Sequence, residues 1–275
     1  PIMKTRTRQQ KLPLLLAALL VVAFAPSGEA SADMGVSEIV KRTNNVAYYQ
    51  GKDGRATVTM SIFDNKGRKR SRKMTVLRRD DGADGGNQKF YVYFHKPADV
   101  AKMVFIVHKK VGGSDDRWLY VPAMDLVKRI AASDKRTSFV GSDFYYEDVS
   151  GRQLSEDTHE LEKTTKNFYV LKHTPKKKSS VEFAYYRMHV HKKTFLPTKV
   201  EYFNGSGKVI RRLTVDKVEK IQGFATVTKA TMQNLDAGTK TVAVYRNVQY
   251  DVGMPARVFT ERYLRRAPRK YLGKN

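Results

Sequence analysis

Side chains fit for chemistry are few in this chain, and they are widely spaced. The histidines are His95, His108, His159, His173, His189 and His191. His189 and His191 stand one residue apart, so on an extended strand they share a face. Joined by His173 and a carboxylate, they could seed a metal site. Arg187, Lys192 and Lys193 crowd the same stretch with positive charge and would oppose a dication. These histidines therefore read as strand-face residues. Carboxylates gather at Asp115-Asp116, Asp134, Asp143 and Glu147-Asp148. They lack the alternating acids, the central glycine and the terminal glutamate of a calcium loop. Arg117, Lys128, Arg129, Lys135 and Arg136 in the same segment offer them partners that would set loop geometry without chemistry. Ser206 lies in Asn204-Gly205-Ser206-Gly207, which reads as a hairpin turn and not as a nucleophile elbow. No G-x-S-x-G, P-loop, H-E-x-x-H or G-x-G-x-x-G pattern occurs. The chain has no cysteine, which removes thiol catalysis, disulfides, cysteine-based metal sites and a lipid anchor on an N-terminal cysteine. A non-enzymatic protein without a cofactor or a metal is expected.

These residues would be carried mainly on strands. Residues 37–50 have a helix-compatible apolar pattern with Ser37 as the expected N-cap. Beyond them the period changes to two, as where Ala56, Val58, Met60 and Ile62 alternate with Thr57, Thr59 and Ser61. Strands are expected over 56–62, 72–79, 90–94, 103–109, 117–121, 167–173, 181–190, 198–204, 208–218, 225–234 and 240–250. Short connections imply antiparallel pairing in sequence order, because a parallel crossover needs a dozen or more residues. A sheet of roughly ten or eleven strands seldom stays flat, so it should curl. Phe90–Phe94 and Met103–Val107 are bulky and apolar on both faces and need cover on both. The helix at 37–50 and the aromatic stretch Ser138–Val149 could cover the concave side. From the residues alone, that interior is either a ligand pocket or a filled core.

The N-terminus carries an export signal. Lys4, Arg6, Arg8 and Lys11 precede an apolar run from Leu12 to Ala25, and Ala30-Ser31-Ala32 supplies a small-residue cleavage site. Residues 1–32 are expected to be a signal peptide and 33–275 one domain. Removing four basic residues and Glu29 from 52 and 27 leaves 48 against 26, a net charge of +22. Export argues against nucleic acid as the partner of this charge, and basic residues scattered through the strands argue against a dedicated arm. Docking onto an anionic membrane surface is the sharper alternative to a solvated surface.

The stretch Asp115-Asp116-Arg117-Trp118-Leu119-Tyr120-Val121-Pro122-Ala123, with Lys128–Arg136 and Ser138–Asp148 after it, resembles the signature of the outer-membrane lipoprotein-sorting (LolA-like) proteins. The resemblance is to the branch associated with exporters of the resistance-nodulation-division (RND) and MmpL types. Pro97–Val100, Leu196–Tyr202 and Phe259–Leu264 fall where that family has matching segments. The resemblance implies a LolA/LolB-like half-barrel, mainly β, with helices and inserted segments over an apolar concave surface. It implies a periplasmic carrier or accessory protein binding lipid or lipoprotein acyl chains, with an RND- or MmpL-type inner-membrane exporter as a partner. The alternative is an adaptor that docks an exporter and holds no lipid. Large apolar residues in or near the signature are the expected ligand contacts: Phe105, Trp118, Tyr120, Phe139, Phe144 and Tyr145.

Overall fold

The computed structural model describes residues 34–83 and 85–273, and the expected signal peptide lies outside them. Helix α1 (Val36–Tyr48) leads into β1 (Asp53–Phe63), β2 (Lys69–Asp81), β3 (Asn87–Lys96), β4 (Val104–Lys109), β5 (Asp116–Val121) and β6 (Leu126–Arg129). An inserted segment with the short helix α2 (Tyr146–Ser150) follows. Then come β7 (Asp157–Thr164), β8 (Phe168–Pro175), β9 (Tyr185–His191), β10 (Pro197–Phe203), β11 (Val209–Ile221), β12 (Phe224–Asn234) and β13 (Thr239–Tyr250). Two short helices, α3 (Arg262–Arg265) and α4 (Arg269–Leu272), end the described chain.

The thirteen strands form one antiparallel sheet in the order β6-β5-β4-β3-β2-β1-β13-β12-β11-β10-β9-β8-β7. Every neighbour pair but one is sequential. The exception joins the first and last strands, with Val58 opposite Tyr245 and Met60 opposite Ala243. Two arms therefore spread from a central β1–β13 pair, and the sheet stays open between β6 and β7. The inserted segment, residues 130–156, runs between those two edges.

Two strands exceed the expected ten or eleven. Both, β6 and β7, are the sheet edges. Leu126-Val127-Lys128-Arg129 is too short to show a period, and Asp157-Thr158-His159-Glu160-Leu161-Glu162-Lys163-Thr164 is mostly polar. An edge strand pairs on one side only and commonly carries charge that discourages further pairing, so its apolar signal is weak. Ser37 is not the cap of α1. It lies within the first turn, and Glu38 and Ile39 donate their N–H groups to Gly35 O. Strand β9 begins at Tyr185, four residues later than expected.

The two-sided strands are covered on both faces. On one face Phe90, Val92, Phe94, Phe105 and Val107 pack against Phe139 and Tyr146 of the inserted segment. On the other, Tyr91, Val104 and Ile106 pack against Met254, Val258, Phe259 and Leu264. Cover for this second face comes from the C-terminal segment, not from either segment expected to cover the sheet. Hydrogen bonds latch it in place. Asp53 accepts from the N–H groups of Val252 and Met254, both at 2.7 Å. Tyr91 Oη donates to Tyr263 O at 2.9 Å, and Thr75 Oγ1 donates to Leu272 O at 2.9 Å.

Candidate functional site

The inward-facing residues of distant strands meet around one cavity of about 420 Å³. Val76 and Phe90 reach it from β2 and β3, and Leu171 and Met188 reach it from β8 and β9. Eight strand-to-strand steps separate β3 from β8 in the sheet order. At roughly 4.8 Å per step a flat sheet would hold them nearly 40 Å apart. Both can line one cavity only because the sheet curls. Val200, Leu213, Val215 and Met232 supply the middle of the wall. The volume falls within the roughly 300–1,000 Å³ range of small-molecule sites.

Helix α1 lies across this interior. Its Ile39 and Val40 are buried against Leu171 and Val190 of the β8–β9 arm. Its C-terminal end is held by the other arm, where Arg78 of β2 donates to the carbonyls of Tyr48, Gln50 and Gly51. Gln88 Nε2 adds a bond to Tyr48 O at 2.8 Å. A guanidinium on the last carbonyls of a helix satisfies acceptors that the helix leaves open. Val40, Thr43, Val46 and Tyr48 thus become one wall of the cavity. At Gly151 (φ +76°) an added Cβ would strike the Tyr48 ring, lying 2.7 Å from Cε2. Gly151→Ala is expected to cost about 2 kcal/mol from backbone strain and the displaced ring. A thermal midpoint lowered by roughly 4–8 °C, read by calorimetry, is the corresponding shift for a domain of this size.

The opposite wall is polar, lined by Arg136, Asp148, Arg152 and Tyr202, with Arg136 and Arg152 paired to Glu147. Glu147, 2 % exposed, accepts from Lys135 Nζ at 2.8 Å, Arg136 Nη1 at 2.9 Å and Arg152 Nη1 at 3.4 Å. Arg136 also pairs with Glu182, Arg152 with Asp157 at 2.9 Å, and Arg211 with Asp148. Burial pushes the Glu147 pKa up, but Arg136, Lys135 and Arg152 outweigh it and leave the carboxyl below its ordinary value. Burial also pushes the Tyr202 phenol up to about 12 and raises the Tyr48 and Tyr186 phenols. Burial and the neighbouring His159 push His173 down to about 3, so the imidazole facing the cavity is neutral.

Of the six expected contact residues, one lines the cavity: Phe144. Phe105 and Phe139 are 0 % and 3 % exposed and pack on each other, ring centroids 5.4 Å apart, in the core beneath the inserted segment. Trp118 and Tyr120 sit on the opposite face of the sheet, against the C-terminal segment. Tyr145 is a platform for two guanidiniums, with Arg211 3.9 Å and Arg136 4.9 Å from its ring centroid. Most cavity residues that sequence reasoning passed over lie outside the signature, on α1, on β1 to β3 and on β8 to β13. Their period-two alternation was the available signal, and it says inward or outward but not core or cavity. The ion pairs expected within residues 115–148 form for Asp115–Arg117, Asp116–Arg129, Glu147–Lys135 and Glu147–Arg136. Asp148 and Asp143 instead reach out to Arg211 and to Thr239 and Thr241. His189 and His191 lie on the convex face and His173 on the concave one, so the three do not converge. Ser206 Oγ donates to Asn204 Oδ1 at 2.8 Å within a turn.

A family model described as "-like: Uncharacterized protein" matches residues 86–266. The chain is 25% identical to a structure described as an outer membrane lipoprotein-sorting protein domain from Vibrio parahaemolyticus. The TM-score is 0.76, over 84% of this chain and 98% of that one. This chain belongs to the LolA-like family. A DUF1329 family protein from Desulfovibrio piger is 28% identical, with a TM-score of 0.75 over 82% of this chain and 96% of that one. A LolA superfamily protein from Nitrosomonas europaea, 17% identical with a TM-score of 0.65 over 84% and 99%, shares the fold. No curated protein matches the chain. The open, curved sheet with its inner helix is the half-barrel that membership in the LolA-like family implies. Among the described residues no helix is long and apolar enough to cross a membrane.

Proposed function

We propose that this LolA-like protein is a non-enzymatic periplasmic carrier that shelters a lipid or lipoprotein acyl chain in its concave cavity, after removal of residues 1–32. The observation that carries this reading is the largely apolar cavity, roofed by α1 and walled by both arms of the sheet. An acyl chain in water costs about 0.8 kcal/mol per CH₂, so passage between membranes requires an apolar container. Loading and release would need only movement of α1 relative to one arm. The lipoprotein-sorting name of the Vibrio structure points the same way. Native mass spectrometry and lipid extraction of protein isolated from the periplasm should show bound lipid, and the emptied protein should take up a fluorescent fatty acid. Repeatedly empty protein that takes up no fatty acid would overturn the reading.

A second role is favoured by the convex face, where Lys69, Lys73, Lys229, Lys240 and Arg246 project from β2, β12 and β13. Lys69, Lys229, Lys240 and Arg246 are exposed, and Lys73 is half-buried. This basic surface suits docking onto an anionic membrane or onto an RND- or MmpL-type exporter, and lipid carriage does not exclude it.

A further inference from the structure

The cavity wall has a seam where the backbone ladder stops. β12 pairs with β13 from Asn234–Thr239 to Lys229–Val244 and no further. Beyond that point β13 runs on along β1, as far as Tyr250 opposite Gly54. β12 instead continues along β11, as far as Phe224 opposite Ile221. On its other side β11 has lost β10, whose pairing reaches only to Thr214. Among the described residues, 217–228 therefore form a hairpin laddered only to itself. Register shifts between Val215 and Val218 lie level with the parting, and such bulges bend the strand that carries them. Both lips of the seam line the cavity, with Ala225, Thr226 and Val227 on one and Val248 and Tyr250 on the other.

Side chains bridge the seam. Gln222 Nε2 donates to Tyr250 O at 3.1 Å, and Gln222 Oε1 accepts from the Tyr250 N–H at 2.8 Å. One amide side chain thus takes the place of a strand's peptide. Gln222 and Gly223 turn the hairpin with φ of +48° and +88°. Such a turn favours Asn or Gly at both positions, so the turn does not account for the glutamine, whereas its bonds to Tyr250 do. Tyr250 Oη donates to Gln50 Oε1 at 3.1 Å and lies 2.8 Å from Thr226 Oγ1. Gln50, just beyond α1, donates from Nε2 to Ala225 O at 2.9 Å. Phe224 packs edge-on against the Tyr250 ring, centroids 4.9 Å apart.

We propose that this seam is the portal of the carrier: the hairpin 217–228 swings away from β13 and admits a hydrocarbon chain sideways into the cavity, its polar head remaining in water. This rests on the carrier reading above and places the moving part. Separating two laddered strands breaks a row of backbone bonds. Parting the seam breaks a few side-chain bonds, and those of the exposed Gln222 can be replaced by water. The lips are apolar at Ala225, Val227 and Val248, which suits the passage of a hydrocarbon chain.

The chain has no cysteine, so introduced thiols react alone. Gln222→Cys and Asp251→Cys, joined by a short reducible bis-maleimide, tie the hairpin across the seam. Uptake and release of a fluorescent fatty acid, followed by stopped flow, should nearly stop in the tied protein and recover when a reductant cuts the link. Gln222→Ala combined with Tyr250→Phe removes the bridge and should raise both rates by about tenfold, the worth of two net hydrogen bonds, with the equilibrium affinity unchanged. Arg42→Cys and Phe195→Cys, tied in the same way, hold α1 to the β9–β10 turn, where Arg42 lies 5.2 Å over the Phe195 ring. That tie should leave the rates unchanged. Wild-type rates in both the seam-tied protein and the bridge variant overturn the inference and leave the carrier reading intact. Exchange stopped by the α1 tie alone places entry under α1 and also overturns it. Absence of fatty-acid uptake by the wild-type protein overturns both.

Discussion

Val215→Trp is expected to lower the affinity for a fluorescent fatty acid by about tenfold or more and to leave the fold intact. Val215 is opposite Ala230 in the β11–β12 ladder and faces the cavity. An indole there occupies volume that several CH₂ groups of a bound chain would otherwise fill, and each displaced CH₂ is worth about 0.8 kcal/mol. Because the space is open, the ring enters without the overpacking that a filled core would suffer. The thermal midpoint should therefore stay within a few degrees of the wild type. Val242→Trp, on the convex face opposite Ser61, is the matched control and should not change binding. Titration of both variants with the same probe checks the pair. Undiminished uptake by Val215→Trp would mean that the cargo does not occupy this cavity.

Glu147→Ala should be the most destabilising single change. The carboxylate lies between Lys135, Arg136 and Arg152 in a site removed from water. Removing it leaves three cations facing one another with one fewer counter-charge. Breaking a buried ion pair in this way costs about 3–5 kcal/mol, which for a domain of this size is a fall in thermal midpoint of roughly 6–20 °C. Glu147→Gln keeps the volume and one acceptor and should fall between. The pH dependence follows from the lowered pKa of Glu147 in the folded state. Its contribution is fully present above the unfolded value of about 4.3 and is lost as pH falls through the lower folded value. Urea midpoints measured across the acid range should decline for the wild type, and Glu147→Gln should flatten part of that decline. Equal slopes for the two proteins would remove Glu147 as a source of acid sensitivity.

The same carboxylates show how far local reading reaches. Asp115 and Asp116 find Arg117 and Arg129 within the segment, as nearness along the chain suggests. Asp148 pairs with Arg211, and Arg136 with Glu182. Those partners belong to the arm that runs from β13 to β7, 63 and 46 positions away, so these ion pairs depend on how that arm meets the inserted segment. The aromatic residues of the signature were legible as important but not as to purpose. Phe105, Phe139 and Tyr145 hold the inserted segment in place, and Trp118 and Tyr120 seat the C-terminal segment.

By itself the sequence determined the strand content, the antiparallel hairpins, the two-sided character of β3 and β4 and the absence of cysteine chemistry. Each of these depends on neighbours within a few residues, where side-chain period and turn chemistry act directly. Only the tertiary structure decided that β1 pairs with β13, that residues 251–272 cover the convex side of β2 to β5, and that His173 is buried against His159. Those outcomes bring together residues up to about two hundred positions apart. Alternation reports which side of a strand is buried. Whether that side meets packed protein or open space depends on the curvature of the whole sheet.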